Sequence, residues 1–232
     1  RARMVCDLPH VLITGAGSGI GEATVAAALD AGFHVFAGDR GVRDASAVAN
    51  DGSRTRLRVD VTNSDDIELA AKVIGQHVGD RGLNGLANIA GIGMAAPLEV
   101  ADSESLRRIF EINGIGQMAL TRAMTPLIRI AAGRIIFVGS IGDRLTVPFA
   151  GPLTASKAAI ASLSDTLRQE LAPWGIRVIL VEPASIHTAA VDAMRADVQR
   201  ASDAFSVTQA QLYGDSFREV LSKFLEREEH GS

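Results

Sequence analysis

The sequence is poor in the residues that would open several functional classes. Its one cysteine, Cys6, cannot close an internal disulfide, which fits a reducing compartment. The opening RARMVCDLPH has basic residues but no apolar stretch of the kind a signal peptide needs. No run approaches the roughly 20 apolar residues of a membrane span. GLANIAGIGMAAPLEV, for example, is broken by Asn88 and three glycines. Net charge is −4, so there is no general attraction to nucleic acid or to an anionic membrane. A soluble cytoplasmic protein is expected, with neither of those partners and no metal site. The first residue is not methionine, which fits a piece of a longer protein. The only tyrosine, Tyr213, lies near the end of the chain, where it reads best as an amphipathic packing residue.

Glycine, in contrast, is abundant, at 23 of 232 residues. An excess over the roughly 7% average suggests tight turns, or a backbone that comes close to a ligand. Short apolar runs alternate with helical patterns throughout. Strands are expected at 10–15, 33–39, 56–62, within 82–91, at 133–140 and at 175–183. Helices are expected at 20–32, 65–79, 103–131 and 151–173, while DASAVAND (44–51) reads as a short helix or loop. The strand runs are apolar on both faces, as in a parallel sheet covered by helices on each side. The fold class is therefore α/β, a Rossmann-type doubly wound parallel sheet. Residues 1–232 are expected to form a single domain. Within it, 184–232 is a polar, mostly helical tail or substrate lid. The sheet is expected to lack its last strand, leaving an open edge at the sixth.

TGAGSGIG (14–21) leaves the first strand and opens the first helix. Gly15, Gly19 and Gly21 allow a tight turn that brings backbone amides up to a pyrophosphate at a helix N-terminus. A bare strand-to-helix turn is the plainer alternative. Asp39 closes the second strand, where a carboxylate accepts hydrogen bonds from an adenosine ribose diol and repels a 2′-phosphate. NAD is therefore favoured over NADP, with Arg40 as an opposing influence.

The spacing of these glycines resembles the short-chain dehydrogenase/reductase superfamily, and later motifs follow in that family's order. Asp60-Val61, NIAG (88–91), Asn113, Ser140, Lys157 and LRQELAPWGIRVILVEP resemble its landmarks, especially in steroid-, retinol- and hydroxybutyrate-type members. The likeness covers roughly residues 9–190. It implies hydride transfer between NAD(H) and a hydrophobic secondary alcohol or ketone. It implies that Gly15, Gly17, Ser18, Gly19, Ile20, Gly21, Asp39, Arg40, Asp60, Val61, Asn88, Ala90 and Gly91 hold the cofactor, together with Lys157, Pro183, Ile186 and Thr188. Ser140 would hold the substrate oxygen, Lys157 the nicotinamide ribose, and Asn113 a water leading to that lysine. A homodimer is implied, with a tetramer less favoured.

The family's tyrosine, one turn before the lysine, is Leu153 here. Leucine has no proton to give, and Thr154 beside it points about 100° around the helix. His187 is a distant substitute as an acid or base. Ile89 replaces the second asparagine of the family's NNAG, Ala184 the glycine of its PG, and Gly139 a frequent serine. Two readings stand: an oxidoreductase that moves its proton by another route, or a dinucleotide-binding sensor or scaffold that has lost proton transfer. Phe205, Leu212, Phe217 and Phe224 suit an apolar lid and ordinary helix packing equally.

Overall fold

The computed structural model describes residues 8–42, 49–50, 52–184, 186 and 189–229. The chain divides into two compact units. The first comprises the chain through Ala90, Ile115–Val138 and Ser162–Val181; the second comprises Gly91–Gly114, Gly139–Ala161 and the chain from Glu182 onward.

The whole sheet belongs to the first unit. Strand β1 (His10–Thr14) leads into helix α1 (Gly19–Asp30), followed by β2 (His34–Asp39), β3 (Ala49–Asn50), β4 (Arg54–Arg58), α2 (Ser64–Val78) and β5 (Gly85–Asn88). Next in chain order are α3 (Ser103–Phe110), α4 (Gln117–Ala131), β6 (Arg134–Val138), α5 (Gly151–Leu171), β7 (Arg177–Val181), α6 (Ala189–Asp203) and α7 (Val207–Glu229). The strands lie in the order β3-β4-β2-β1-β5-β6-β7, and six of the seven are mutually parallel. β1 pairs with β2 on one side and β5 on the other. The winding direction reverses there, which makes the C-terminal end of β1 the switch point of the sheet.

Apolar runs on both faces account for this arrangement. Leu12 and Ile13 of β1, Phe36 of β2, Leu86 of β5 and Phe137 of β6 are fully buried, as are Ile74 of α2 and Leu120, Met124 and Ile128 of α4. Each such side chain contributes about 1.5–3 kcal/mol of transfer free energy. At the head of α2, the Asn63 side chain accepts from the amides of Asp65 and Asp66 at 2.9 and 3.0 Å, which satisfies two donors that the helix itself leaves unpaired.

Two elements differ from the sequence expectation. Within 44–51, Ala49–Asn50 is a strand paired antiparallel to β4 rather than a loop or helix; the other residues of that stretch lie outside the described ones. The register is that of a hairpin, with Gly52 at φ +85° supplying the left-handed turn. The helix expected at 103–131 is interrupted by a wider π turn at Glu111–Gly116.

The second unit gathers α6 and α7 around Ala95, Phe217 and Leu221, with Phe149, Met194, Val198 and Phe205 packed against them. Phe217 meets Phe149 and Phe205 edge-on, each at 5.3 Å between ring centroids. Phe149 holds φ +70°, and its carbonyl accepts from the Ala96 amide at 2.8 Å. Phe205 and Phe217 are thus core residues of this unit, whereas Leu212 is 64% exposed. Among the described residues after β7, the regular elements are the helices α6 and α7, and no further strand joins the sheet. None of the described helices is long and apolar enough to cross a membrane.

Candidate active site

In the first unit, the turn from β1 into α1 needs glycine at two positions. Gly15 has φ +64°, and a Cβ there would press on the Ala90 backbone at 3.0 Å. A Cβ on Gly21 would overlap the Gly15 carbonyl oxygen. Ser18, at the N-cap of α1, makes no side-chain capping bond, and the amides at a helix N-terminus are natural donors to an anion. The cradle and its uncapped donors fit a pyrophosphate.

Both oxygens of Asp39 are in use. Oδ2 accepts from the Gly17 amide at 3.0 Å and Oδ1 from the Gly41 amide at 2.7 Å. The carboxylate at the end of β2 therefore also sets the position of the glycine loop. Arg40 is exposed. Asp60 accepts from the amide and hydroxyl of Thr62 at 2.9 and 2.7 Å, and these bonds hold its carboxyl below the usual range. Val61 beside it is buried.

Thr14 is a residue that the motif reading passed over. Its hydroxyl accepts from the amides of Ile89 and Ala90 at 3.0 and 3.1 Å and donates to the Ala87 carbonyl at 3.3 Å. One buried hydroxyl thereby ties the start of the glycine loop to the NIAG segment. A polar residue directly after the apolar run Val11–Ile13 was the signal available in the sequence. Gln117 Nε2 donates to the Ala90 carbonyl at 2.8 Å, and Asn88 Nδ2 to the Thr121 hydroxyl at 3.0 Å.

All three residues with expected catalytic roles lie in the second unit. Asn113 is fully buried within the π turn. Its Oδ1 accepts from the Ile92 amide at 2.8 Å, while Nδ2 donates to the Ile92 carbonyl at 2.9 Å and to the Ser156 hydroxyl at 3.0 Å. Both amide hydrogens are committed to the protein itself. Ser140 Oγ accepts from the Gly142 amide at 3.1 Å and opens a short 3₁₀ turn, Ile141–Asp143. Pro183 joins this turn through its carbonyl, which accepts from the Ile141 amide at 3.1 Å.

On α5, Leu153 lies one turn before Lys157, and its carbonyl accepts from the Ser156 hydroxyl at 2.8 Å. The Thr154 hydroxyl is spent on the Gly151 carbonyl at 3.2 Å. Lys157 is half-buried, and burial draws its ammonium down to about 8, with the charge of Asp143 opposing. Asp143 is pushed up to about 6 by burial and by the neighbouring carboxyl of Glu182, with Arg144 and Lys157 acting the other way. Tyr213 packs edge-on to Phe149 at 6.3 Å, and a hydrogen bond with Glu99 raises its phenol above the usual range. Gly91 and Ala184 are exposed and Ile186 is half-buried; His187 and Thr188 lie outside the described residues.

The sequence profile described as short chain dehydrogenase matches residues 9–199. Rat 17-beta-hydroxysteroid dehydrogenase type 6 is 37% identical over 189 residues, covering 79% of this chain and 59% of the relative. Rat mitochondrial D-beta-hydroxybutyrate dehydrogenase is 34% identical over 182 residues, covering 75% and 53%. The chain thus spans less than two thirds of the length of either relative. Among solved structures, 3-ketoacyl-(acyl-carrier-protein) reductase from Brucella melitensis complexed with NADH aligns with TM-score 0.74 at 27% identity, over 84% of this chain and 83% of that one. A short chain dehydrogenase from Burkholderia cenocepacia in complex with NADP aligns with TM-score 0.70 at 30% identity, over 82% and 77%.

Proposed function

The chain belongs to the short-chain dehydrogenase family, and on that premise we propose that it binds a nicotinamide dinucleotide and catalyses oxidoreduction of a hydrophobic secondary alcohol or ketone. The observation that carries this reading is the Gly15–Gly21 cradle at the switch point of the sheet. A Cβ has no room at its two tightest points, and the helix donors behind it are uncapped.

The bound dinucleotide would supply or accept the hydride, and the chain's own residues would do the rest. The loop amides would neutralise the pyrophosphate. Asp39 would accept from the adenosine ribose and disfavour a 2′-phosphate, so NAD is the proposed cofactor. Asp60 and Val61 would flank the adenine. Lys157 would donate to the nicotinamide ribose; at about 8, its ammonium is still mostly charged at neutral pH. Ser140 would donate to the substrate oxygen. Asn113 would act chiefly by holding the Ile92 backbone and Ser156 in place, since its amide hydrogens are already used. We read 1–232 as one dinucleotide-binding domain that acts as a homodimer, with the tail from 184 covering the substrate.

Leu153 favours a second reading, in which the dinucleotide binds but no proton moves and the chain serves as a sensor or scaffold. Titration of NADH followed by its fluorescence, combined with assays on steroids, retinoids and short hydroxy acids, separates the two. Turnover in the unaltered chain supports the oxidoreductase. NADH binding without turnover, with turnover appearing in Leu153→Tyr, supports the scaffold. If neither NADH nor NADPH binds, the assignment of the loop is wrong.

A further inference from the structure

Asp143 has no counterpart among the residues assigned above, yet it occupies the same short turn as Ser140. Its amide donates to the Ser140 carbonyl at 3.0 Å. Its side chain is only 1% exposed, and neither oxygen receives a hydrogen bond from a described donor. The side chain that meets it is another carboxyl, that of Glu182. Arg144 fixes Glu182 in place: its Nε donates to Glu182 Oε1 at 3.0 Å and lies 3.8 Å from Asp143 Oδ1. Lys157 is the remaining charge acting on Asp143.

Two carboxyl groups in contact, one of them buried without a donor, repel each other when both are ionised; a single proton held between them removes that repulsion. We propose that Asp143 and Glu182 share one proton, and that this pair, with Lys157 beside it, is the proton source and sink of a chain that has leucine at 153. The proposal rests on the reading of Ser140 and Lys157 given above. Glu182, 29% exposed at its side chain, is the member a substrate oxygen can reach, whereas Asp143 is a positioning residue that keeps the proton on the pair. The sharing extends the protonated form into the neutral range, since Asp143 is held up to about 6 by burial and by Glu182, against Arg144 and Lys157.

The step balances. In reduction, the carbonyl carbon receives a hydride, and with it two electrons, from a reduced nicotinamide dinucleotide. The carbonyl π pair moves onto oxygen, and an O–H bond forms there as the carboxyl O–H bond of Glu182 breaks. The pair, now doubly ionised, regains a proton from solvent through Glu182. Alcohol oxidation runs the same transfers in reverse.

The test uses the full chain and the variants Asp143→Asn and Glu182→Gln, each with three readouts. These are infrared titration of protonated carboxyls without cofactor, NADH affinity by fluorescence, and reduction of acetophenone, a 17-ketosteroid and acetoacetate across pH. The expected infrared result is a carboxyl in the unaltered chain that loses its proton near pH 6 and is absent from both variants. With NADH affinity held to within about twofold, Glu182→Gln should lower kcat for reduction about 100-fold or more, and Asp143→Asn about tenfold. The ionisation seen in kcat should also move to lower pH in Asp143→Asn. If one variant fails to fold, the other carries the comparison.

Three results overturn the proposal while leaving the cofactor reading intact. One is that no carboxyl titrates above the ordinary range. The second is that both variants keep the unaltered kcat and pH profile. The third is that the unaltered chain binds NADH but reduces none of the three probes. Absence of NADH and NADPH binding is a different failure, which removes the underlying reading and this proposal with it.

Discussion

Leucine at 153 puts an inert side chain where an i,i+4 partner would face Lys157, so the acidic group acting on that ammonium is Asp143, from a different segment. Asp39 has a double task of a similar kind. Its carboxylate anchors the amides of Gly17 and Gly41 and is proposed to meet the adenosine ribose. Asp39→Asn keeps one acceptor oxygen but removes the charge that would repel a 2′-phosphate. The ratio of the NADPH to the NADH dissociation constant is expected to fall by about tenfold or more, the equivalent of about 1.4 kcal/mol. Fluorescence titration with both cofactors checks this, and an unchanged ratio would move the source of selectivity elsewhere. At this scale, the sequence showed residue types and order: the glycines, Asp39, Ser140 and Lys157 were all legible. The pairing of Asp143 with Glu182 was not, because 39 positions of chain separate them and Glu182, although inside the LRQELAPWGIRVILVEP stretch, had no role assigned to it there.

The π turn at Glu111–Gly116 shows why the long helix read at 103–131 is not uniform. Apolar periodicity indicates a helix but says nothing about one extra residue in a turn. That residue accompanies Asn113, whose amide satisfies the backbone of Ile92 on both its polar groups and also reaches Ser156. Asn113→Ala leaves those buried groups without their partner, and a loss of about 2–4 kcal/mol of stability is expected. Urea unfolding measures it; a loss below about 0.5 kcal/mol would mean that water takes over these bonds. The strand Ala49–Asn50 was hidden for a different reason. Two residues carry no alternation to detect, and only the partner strand β4 makes them a strand. β1, β2 and β5 were visible because burial on both faces demands an unbroken apolar run, whereas β4 buries only Thr55 and Leu57 in an alternating pattern.

For the molecule as a whole, resistance to acid depends on a cluster in the first unit. His10 opens β1 and pairs in register with His34 of β2, while His77 lies in the last turn of α2. Their rings stand 4.5–5.5 Å apart around Phe36. Burial, followed by the charge of Arg81 and the other two histidines, lowers His10 from 6.5 to about 4. Between those values the unfolded chain binds a proton that the folded chain refuses. Stability should therefore fall as pH drops from about 6.5 to about 4 and be unaffected by this group outside that window. Asp143 has the opposite sign, since its raised value favours the folded chain as pH falls below about 6. Comparing His10→Phe with the unaltered chain isolates the histidine. Urea unfolding at pH 7.5 and pH 4.5 should show a smaller acid loss in the variant, by about 2 kcal/mol. An equal loss in both would assign acid sensitivity to other groups.

The hydroxyl of Thr14 also bears on when the chain becomes able to bind. Its partners at Ile89 and Ala90 are 75 and 76 positions away, and the steric demand on Gly15 comes from that same Ala90. Closing so long a segment is a late and costly event for a folding chain. The glycine loop is therefore complete in sequence by residue 21 but acquires its shape only after β5 has docked beside β1. A nascent chain that has emerged only as far as α2 carries the whole motif and none of the surface against which it is moulded, so ligand recognition and the last long-range strand pairing of the first half arrive together.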